Sequence, residues 1–324
     1  MTGLALEGII AYPVTPFAPA RNGGADSGAD SRVDGRGDGR GDGHGDGRGD
    51  GGVDTEALTA LVDRLIDAGC HAIAPLGSTG ESAYLDDQEW HTAAEAALAA
   101  VAGRVPAVVG VADLTTRGAV RRARFAERAG ADAVMVLPQA YWKLDEREVA
   151  DHFTAVADAV GVPVMLYNNP ATSGVDLSPE LMVSLVERVE NITMVKESSG
   201  DVRRMHRLAQ LTDGALPFYN GSNPLALAAF SAGAAGWCTA APCLIPGPVL
   251  ELHRAVRAGE WDRALEVFQR QLPVLEFILG GGLPTTVKAG LALLGLDVGE
   301  PRRPLLPLDP AGTARLAELL AAAG

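Results

Sequence analysis

Eight short apolar runs alternate with amphipathic segments from Gly8 to about residue 240, and this alternation limits the possible folds more than any other feature. The runs are apolar on both faces, which is typical of buried parallel strands, and crossover helices are predicted between them. Open doubly wound sheets more often have about five or six strands. The pattern therefore predicts an α/β fold, a closed (β/α)8 TIM barrel over residues 1–248.

The remaining residues, 249–324, carry apolar positions at helical spacing and no strand pattern, so they predict a C-terminal helical region. A chain of 324 residues is long enough for one such barrel with an extension. Between the first strand and its helix, residues of about 20–52 are nearly all Gly, Asp and Arg. Because this segment has almost no apolar side chain to bury, we expect a disordered insertion there. A calcium site is a weaker alternative, since the Asp spacing fits no EF-hand loop.

Charge and composition exclude several classes of partner. The formal net charge of −14 and the 5% aromatic content argue against nucleic-acid binding. No stretch approaches the about 20 apolar residues of a membrane span, and the start has no signal-peptide pattern, so we expect a cytoplasmic protein. The six histidines and three cysteines show no ligand spacing, so no metal site is predicted.

Lysine is rare in this chain, and one of its three copies, Lys196, closes the sixth apolar run. Reaction sites of such barrels lie at the carboxyl ends of the strands, and Lys196 shares a strand face with Ile192 and Met194. Burial disfavours a charged ammonium, and a neutral primary amine can attack a carbonyl carbon to form an imine, which arginine cannot. The alternative is a structural ion pair, for example with Glu197.

Two other strand ends carry hydroxyl groups. Tyr167 closes the fifth run, next to the strand of Lys196, and a phenol there could move protons during imine chemistry. It could equally be a packing residue at the rim. The second run ends in Gly77-Ser78-Thr79-Gly80-Glu81, whose backbone amides could hold a carboxylate. Taken alone, such a turn is more often only a turn.

With these motifs together, the chain resembles the dihydrodipicolinate synthase and N-acetylneuraminate lyase family of Schiff-base aldolases. The resemblance extends from "PVTPF" near the start to "TVKAGLALLGLDVGEPRRPLLPL" near the end. It implies that Lys196 forms the imine, that Tyr167 relays protons, and that Ser78 and Thr79 hold the carboxylate of a 2-oxo acid. From their position, the hydroxyl groups of Ser78 and Thr79 could also extend the proton path of Tyr167. The resemblance further implies a homotetramer that uses no metal or dissociable cofactor.

Other residues are assigned to the pocket by the same resemblance. Gly80 belongs to the carboxylate-binding turn, and Gly221 and Cys238 fall where the family lines its pocket with backbone atoms. Tyr141, in "PQAYW", stands later in the chain than the family's third catalytic hydroxyl, which a neighbouring subunit usually supplies. We expect either that Tyr141 takes that role or that Trp142 and Lys143 beside it shape the pocket mouth.

Dihydrodipicolinate synthases proper have a motif similar to "YNxPxRTG" after the fifth strand, and its arginine binds the carboxylate of the second substrate. In this chain Thr172 stands in the place of that arginine. Loss of a bidentate guanidinium removes a contact of about 1.5–3 kcal/mol. Hydroxyl groups instead surround the expected pocket; they are Ser78, Thr79, Thr172, Ser173, Ser222 and Thr239. They favour a hydroxylated sugar acid as substrate.

Three functions stay open at this point. The leading hypothesis is a lyase of aldolase or dehydratase type that binds pyruvate or a 2-oxo deoxy sugar acid as an imine on Lys196. The main alternative is 4-hydroxy-tetrahydrodipicolinate synthase, which condenses pyruvate with aspartate semialdehyde. A non-catalytic barrel that retains an oxo-acid site is the alternative from another class.

Overall fold

The computed structural model describes residue 4, residues 6–19 and residues 51–324 of the chain. Apart from Gly51 and Gly52, the Gly/Asp-rich segment lies outside these residues. Eight strands form one parallel sheet in the order β2-β1-β8-β7-β6-β5-β4-β3. They are β1 Gly8–Ala11, β2 Ala72–Ile73, β3 Val108–Gly110, β4 Ala133–Val136, β5 Val164–Asn168, β6 Ile192–Glu197, β7 Phe218–Asn220 and β8 Gly236–Thr239.

The two ends of this strand order meet, which makes the sheet a nearly closed barrel. Ile73 at the end of β2 forms a parallel bridge with Ala107 before β3. The Gly110 amide then donates to the Pro75 carbonyl at 3.0 Å, which continues the contact between these strands. Because closure leaves no free sheet edge, the strands can be short and apolar on both faces.

Helices cover the outside of the barrel between consecutive strands. Most begin at a residue whose side chain accepts a backbone hydrogen bond, as at Asp54, where Oδ1 accepts from the Ala57 amide at 2.9 Å. The helices are α1 Thr55–Asp67, α2 Asp87–Val101, α3 Thr116–Arg128, α4 Glu146–Ala157, α5 Pro170–Ser173, α6 Pro179–Arg188, α7 Val202–Leu211, α8 Ala226–Ser231 and α9 Pro246–Arg257. Short 3-10 turns occur at Ser82–Tyr84, Asn223–Leu225 and Ala241–Cys243.

Three further helices follow α9: α10 Trp261–Gly280, α11 Leu283–Leu293 and α12 Pro310–Ala323. They pack against each other, and α10 also packs on α9. The predicted (β/α)8 barrel with a C-terminal helical extension is therefore confirmed. Across the described residues, every helix is too short or too polar to cross a bilayer.

The strands are shorter than the apolar runs from which they were predicted. In the second run only Ala72 and Ile73 are strand, and residues 75–81 form turns and a bend. The Gly77–Glu81 residues thus lie in the loop after β2, whereas Tyr167 and Lys196 are the second-to-last residues of β5 and β6.

Candidate active site

Lys196 lies at the carboxyl end of β6 with its side chain inside the barrel mouth. It is only 4% exposed, and its neighbours on the same strand face, Ile192 and Met194, are also buried. The Nζ atom lies 3.8 Å from the ring centre of Tyr167 and 3.8 Å from that of Tyr12. Two aromatic faces therefore surround the amine, which is a favourable position for a cation and leaves little room for water.

The alternative ion pair between Lys196 and Glu197 is not formed. Glu197 points away from the lysine, where its Oε2 lies 3.3 Å from the Arg204 Nε. Its Oε2 also accepts from the Asn168 Nδ2 at 3.0 Å, and its Oε1 accepts from the Ser199 amide at 2.6 Å. This network holds the ends of β5 and β6 together, and the amine of Lys196 takes no part in it.

The sheet register places Tyr167 directly beside Lys196. The two residues are partners in the parallel pairing of β5 with β6. The phenol oxygen accepts a hydrogen bond from the Asn169 Nδ2 at 2.8 Å. Burial by itself raises the pKa of Tyr167, but the Lys196 charge and the hydroxyl and amide donors around the oxygen outweigh burial and lower the pKa below its usual value. A phenol with a lowered pKa transfers its proton more readily, which suits a proton relay.

Tyr12 is a site residue that the sequence analysis missed. Its ring covers the other side of the Lys196 amine, and its hydroxyl donates to the Met135 Sδ at 3.1 Å. Burial, reinforced by the neighbouring Cys238 thiol, raises the pKa of Tyr12 well above its usual value, so this phenol stays protonated. The available signal was its position: Tyr12 directly follows β1, just as Tyr167 stands at the end of β5.

Gly221 makes room for the lysine. A Cβ atom at this position would lie 2.8 Å from the Lys196 Cε and 1.8 Å from the Ser198 Oγ. Any larger residue would therefore push into the space that the lysine side chain occupies. Cys238 is buried on β8 and lies close enough to Tyr12 and Lys196 for both to influence its thiol.

The Gly77–Glu81 turn lies against the same cluster. A Cβ atom at Gly77 would lie 2.9 Å from the Tyr12 ring, and the Ser78 hydroxyl interacts with the Tyr167 phenol. Thr79 is buried, and the Gly80 carbonyl accepts a hydrogen bond from the Thr15 hydroxyl at 2.6 Å. The turn thus brings hydroxyl groups and backbone amides to the mouth of the barrel beside the amine.

The remaining predicted residues lie farther out. Thr172 is exposed on α5 with its hydroxyl 3.4 Å from the Asn169 carbonyl. The Ser222 amide donates to the Asn220 Oδ1 at 3.0 Å after β7. Tyr141 is 93% exposed, so within its own chain it lies outside the buried cluster around Lys196.

The described residues contain no group of three or more His, Cys, Asp or Glu side chains arranged to hold a metal ion. What the cluster offers is a buried primary amine between two phenols, next to a hydroxyl-rich turn. Such an arrangement can form an imine with a carbonyl compound and supply the proton transfers that imine formation needs.

Comparison with known proteins agrees with this chemistry. The model of the dihydrodipicolinate synthetase family matches residues 48–323. The chain belongs to this family. A 4-hydroxy-tetrahydrodipicolinate synthase from Methanoculleus marisnigri is 35% identical over 266 residues, which covers 82% of this chain and 91% of the relative.

Solved structures of family members have the same fold. A Pseudomonas aeruginosa protein provisionally described as a dihydrodipicolinate synthetase is 53% identical, with a TM-score of 0.88 over 99% of this chain and 100% of its own. The 4-hydroxy-tetrahydrodipicolinate synthase of Methylacidiphilum fumariolicum is 27% identical, with a TM-score of 0.85 over 98% and 96% of the two chains. The family resemblance inferred from the sequence motifs is thereby confirmed.

Proposed function

We propose that the protein is a lyase that binds pyruvate or another 2-oxo acid as an imine on Lys196 and then makes or breaks a bond through the enamine. The observation that carries this proposal is the buried Lys196 amine, 3.8 Å from the ring centres of both Tyr12 and Tyr167. Membership of a family whose relatives are named 4-hydroxy-tetrahydrodipicolinate synthase supports the same chemistry.

The Lys196 ammonium first gives up a proton to water, and the neutral amine then attacks the carbonyl carbon of the oxo acid. The carbonyl oxygen takes a proton from the Tyr167 phenol, and the nitrogen passes a proton to the resulting phenolate, which gives a neutral carbinolamine. Tyr167 then gives its proton to the new hydroxyl group, which leaves as water, so that the protonated imine and the Tyr167 phenolate remain. Removal of a proton from the adjacent carbon then gives the enamine, whose carbon attacks an aldehyde or, in the reverse direction, is the leaving group.

The carboxylate of the oxo acid is assigned to the Gly77–Glu81 turn. Ser78 lies next to Tyr167, so a carboxylate bound at the Ser78 and Thr79 amides would hold the carbonyl carbon near both the phenol and the amine. Binding the carboxylate fixes which face of the carbonyl the amine attacks, and positioning of this kind is a large part of enzymatic rate enhancement.

There are two candidates for the second substrate, which is the compound that reacts with the enamine. The threonine at position 172, in place of an arginine, and the hydroxyl groups of the Gly77–Glu81 turn favour a hydroxylated sugar acid or its aldehyde fragment over a carboxylate-bearing aldehyde. The names of the relatives favour aspartate semialdehyde. The oxo-acid half of the reaction is common to both.

A substrate panel separates these functions. The purified protein is assayed for condensation of pyruvate with aspartate semialdehyde, and separately for release of pyruvate or water from 2-oxo-3-deoxy sugar acids. Lys196→Arg should abolish every imine-dependent activity, whereas Lys143→Arg, at an exposed lysine, should retain it. Robust synthase turnover would refute the argument from Thr172, and activity retained by Lys196→Arg would refute the proposal as a whole.

We also propose a cytoplasmic homotetramer, as the family resemblance implies, with Tyr141 acting near a neighbouring subunit's site. The 93% exposure of Tyr141 in the single chain leaves its ring available for such a contact. Light scattering gives the oligomeric state, and Tyr141→Phe should then reduce activity without changing that state.

A further inference from the structure

A buried ion pair lies directly behind the Gly77–Glu81 turn. The Glu81 Oε1 lies 2.8 Å from the Lys288 Nζ, and the two side chains are 0% and 2% exposed. Lys288 belongs to α11, in the C-terminal helical extension. The pair therefore connects the turn at the barrel mouth to a part of the chain that follows the barrel.

Further contacts fix both members of this pair. The Glu81 Oε2 accepts a hydrogen bond from the Arg302 backbone amide at 2.6 Å. The Lys288 Nζ donates to the Glu300 carbonyl at 3.1 Å and lies 3.9 Å from the ring centre of Phe17. The Arg302 side chain is itself paired with Glu89 at 2.7 Å. Glu81 thus bridges α11 and the segment around residue 300.

The backbone at Glu81 is held in an unfavourable conformation. Its φ of 57° lies in the left-handed region, which a residue with a side chain adopts at a cost. The Glu81 amide donates to the Ser78 carbonyl at 3.2 Å, which closes the turn on itself. Contacts from the C-terminal region reach both carboxylate oxygens of Glu81, so they are placed to restrain the backbone of the turn.

The pair is charged although both side chains are removed from water. Burial raises the pKa of Glu81 despite the nearby lysine, and burial lowers the pKa of Lys288 to about 8 despite the nearby carboxylate. Burial therefore opposes the charged form of both groups. Buried pairs of this kind add little net stability and can often be replaced by neutral residues.

We propose that Glu81 and Lys288 are positioning residues, through which the C-terminal helices hold the oxo-acid-binding turn in its binding geometry. The inference rests on the proposed function, since it assumes that the turn binds a 2-oxo carboxylate. Neither residue needs to touch the substrate. Their effect acts through the backbone amides of Ser78 and Thr79.

The test replaces the pair by neutral residues in the full-length protein, as Glu81→Gln with Lys288→Met. The matched control is Glu251→Gln with Arg263→Met, which removes an ion pair between α9 and α10 away from the turn. Thermal unfolding checks that each variant is folded. Lys196 modification is then followed at increasing pyruvate concentration in the presence of borohydride, and amide hydrogen exchange is measured over residues 77–84.

In the Glu81/Lys288 variant we expect the half-saturating pyruvate concentration to rise about 10-fold or more, with the maximal trapping rate within about 3-fold of wild type. Exchange over residues 77–84 should accelerate in this variant and not in the control. Loss of folded protein alone would lower the amount of adduct without moving the half-saturating concentration. Should too little folded protein be obtained, Glu81→Gln alone can be used, because its amide oxygen can still accept from the Arg302 backbone amide and loss of the carboxylate favours the neutral form of Lys288.

The outcomes separate the two proposals. If amide hydrogen exchange over residues 77–84 is the same in the Glu81/Lys288 variant as in wild type, the ion pair does not restrain the turn, whatever the protein binds. If amide exchange is faster but the half-saturating pyruvate concentration is unchanged, the restraint exists but does not matter for binding of the oxo acid. If wild-type protein gives no adduct on Lys196 with any 2-oxo acid, the proposed function fails, and the exchange data still decide whether the pair restrains the turn.

Discussion

Replacement of Gly221 by alanine is expected to impair imine formation while leaving the barrel folded. The added methyl carbon would lie 2.8 Å from the Lys196 Cε. Ordinary carbon–carbon contacts are about 3.5–4.0 Å, so the lysine must move by about 0.7–1.2 Å. The methyl would also lie 1.8 Å from the Ser198 Oγ, but that hydroxyl can rotate away.

Both clashing atoms are near the ends of flexible side chains, so we expect a loss of stability at the low end of the about 1–3 kcal/mol typical of overpacking. The kinetic effect should be larger. A displacement of about 1 Å of a reacting group can cost about 100-fold in rate, so we expect trapping of pyruvate on Lys196 to slow by about 10- to 100-fold.

Two variants control this experiment. Gly247→Ala adds a methyl group in α9 with no atom within 4 Å and should trap pyruvate like wild type. Gly221→Ala combined with Ser198→Ala removes the clash with the hydroxyl but not the clash with the Lys196 Cε, so trapping should remain slow. Wild-type trapping by Gly221→Ala would show that the position of the amine is not what limits the reaction. Full recovery in the double variant would show that the clash with Lys196 is unimportant.

Three other changes have defined consequences. Tyr167→Phe removes only the hydroxyl group that transfers protons, so exchange of the pyruvate methyl protons should slow by about 100-fold or more while the melting temperature changes little. Exchange at the wild-type rate would exclude Tyr167 from the proton relay. Asn169→Leu removes the 2.8 Å hydrogen bond that lowers the pKa of Tyr167, so this pKa should rise. When the rate of methyl-proton exchange is plotted against pH, its decrease at alkaline pH should therefore occur at higher pH than in wild type. An unchanged position of this decrease would contradict the assignment of Tyr167 as the titrating group. Burial, together with His71 and nearby arginines, lowers the pKa of His253 to about 4 in the folded protein. The usual pKa of histidine is about 6.5, so between about pH 6.5 and pH 4 the unfolded chain binds a proton at this residue and the folded chain does not. The free energy of unfolding should therefore fall by about 2 kcal/mol from pH 7.5 to pH 5 through this residue, and urea titrations of His253→Gln should lack that part of the decrease.

The fold was predictable because its signal is local and repeated. Each apolar run and each helix cap is visible in a few residues, as with Asp54 before α1. The proximity of Tyr167 and Lys196 was predictable for a related reason, since they close consecutive strands that pair in parallel. Parallel pairing brings the carboxyl ends of neighbouring strands to the same rim.

The rest of the site depends on contacts between distant parts of the chain. Tyr12 reaches Lys196 because the barrel brings the end of β1 and the end of β6, which are three strands apart, to the same mouth. The Glu81–Lys288 pair depends on where α11 packs against the barrel, and no local pattern around either residue specifies that position. The role of Gly221 in making space requires the coordinates of its neighbours.

Mass mapping of the protein after treatment with pyruvate and borohydride tests the central claim most directly. We predict one reduced pyruvyl group per chain, on the peptide that contains Lys196, with Lys143 and Lys288 unmodified and with no adduct in Lys196→Arg. An adduct on a different lysine, or none on Lys196 across a panel of 2-oxo acids, would contradict the assignment of the buried amine as the group that forms the imine.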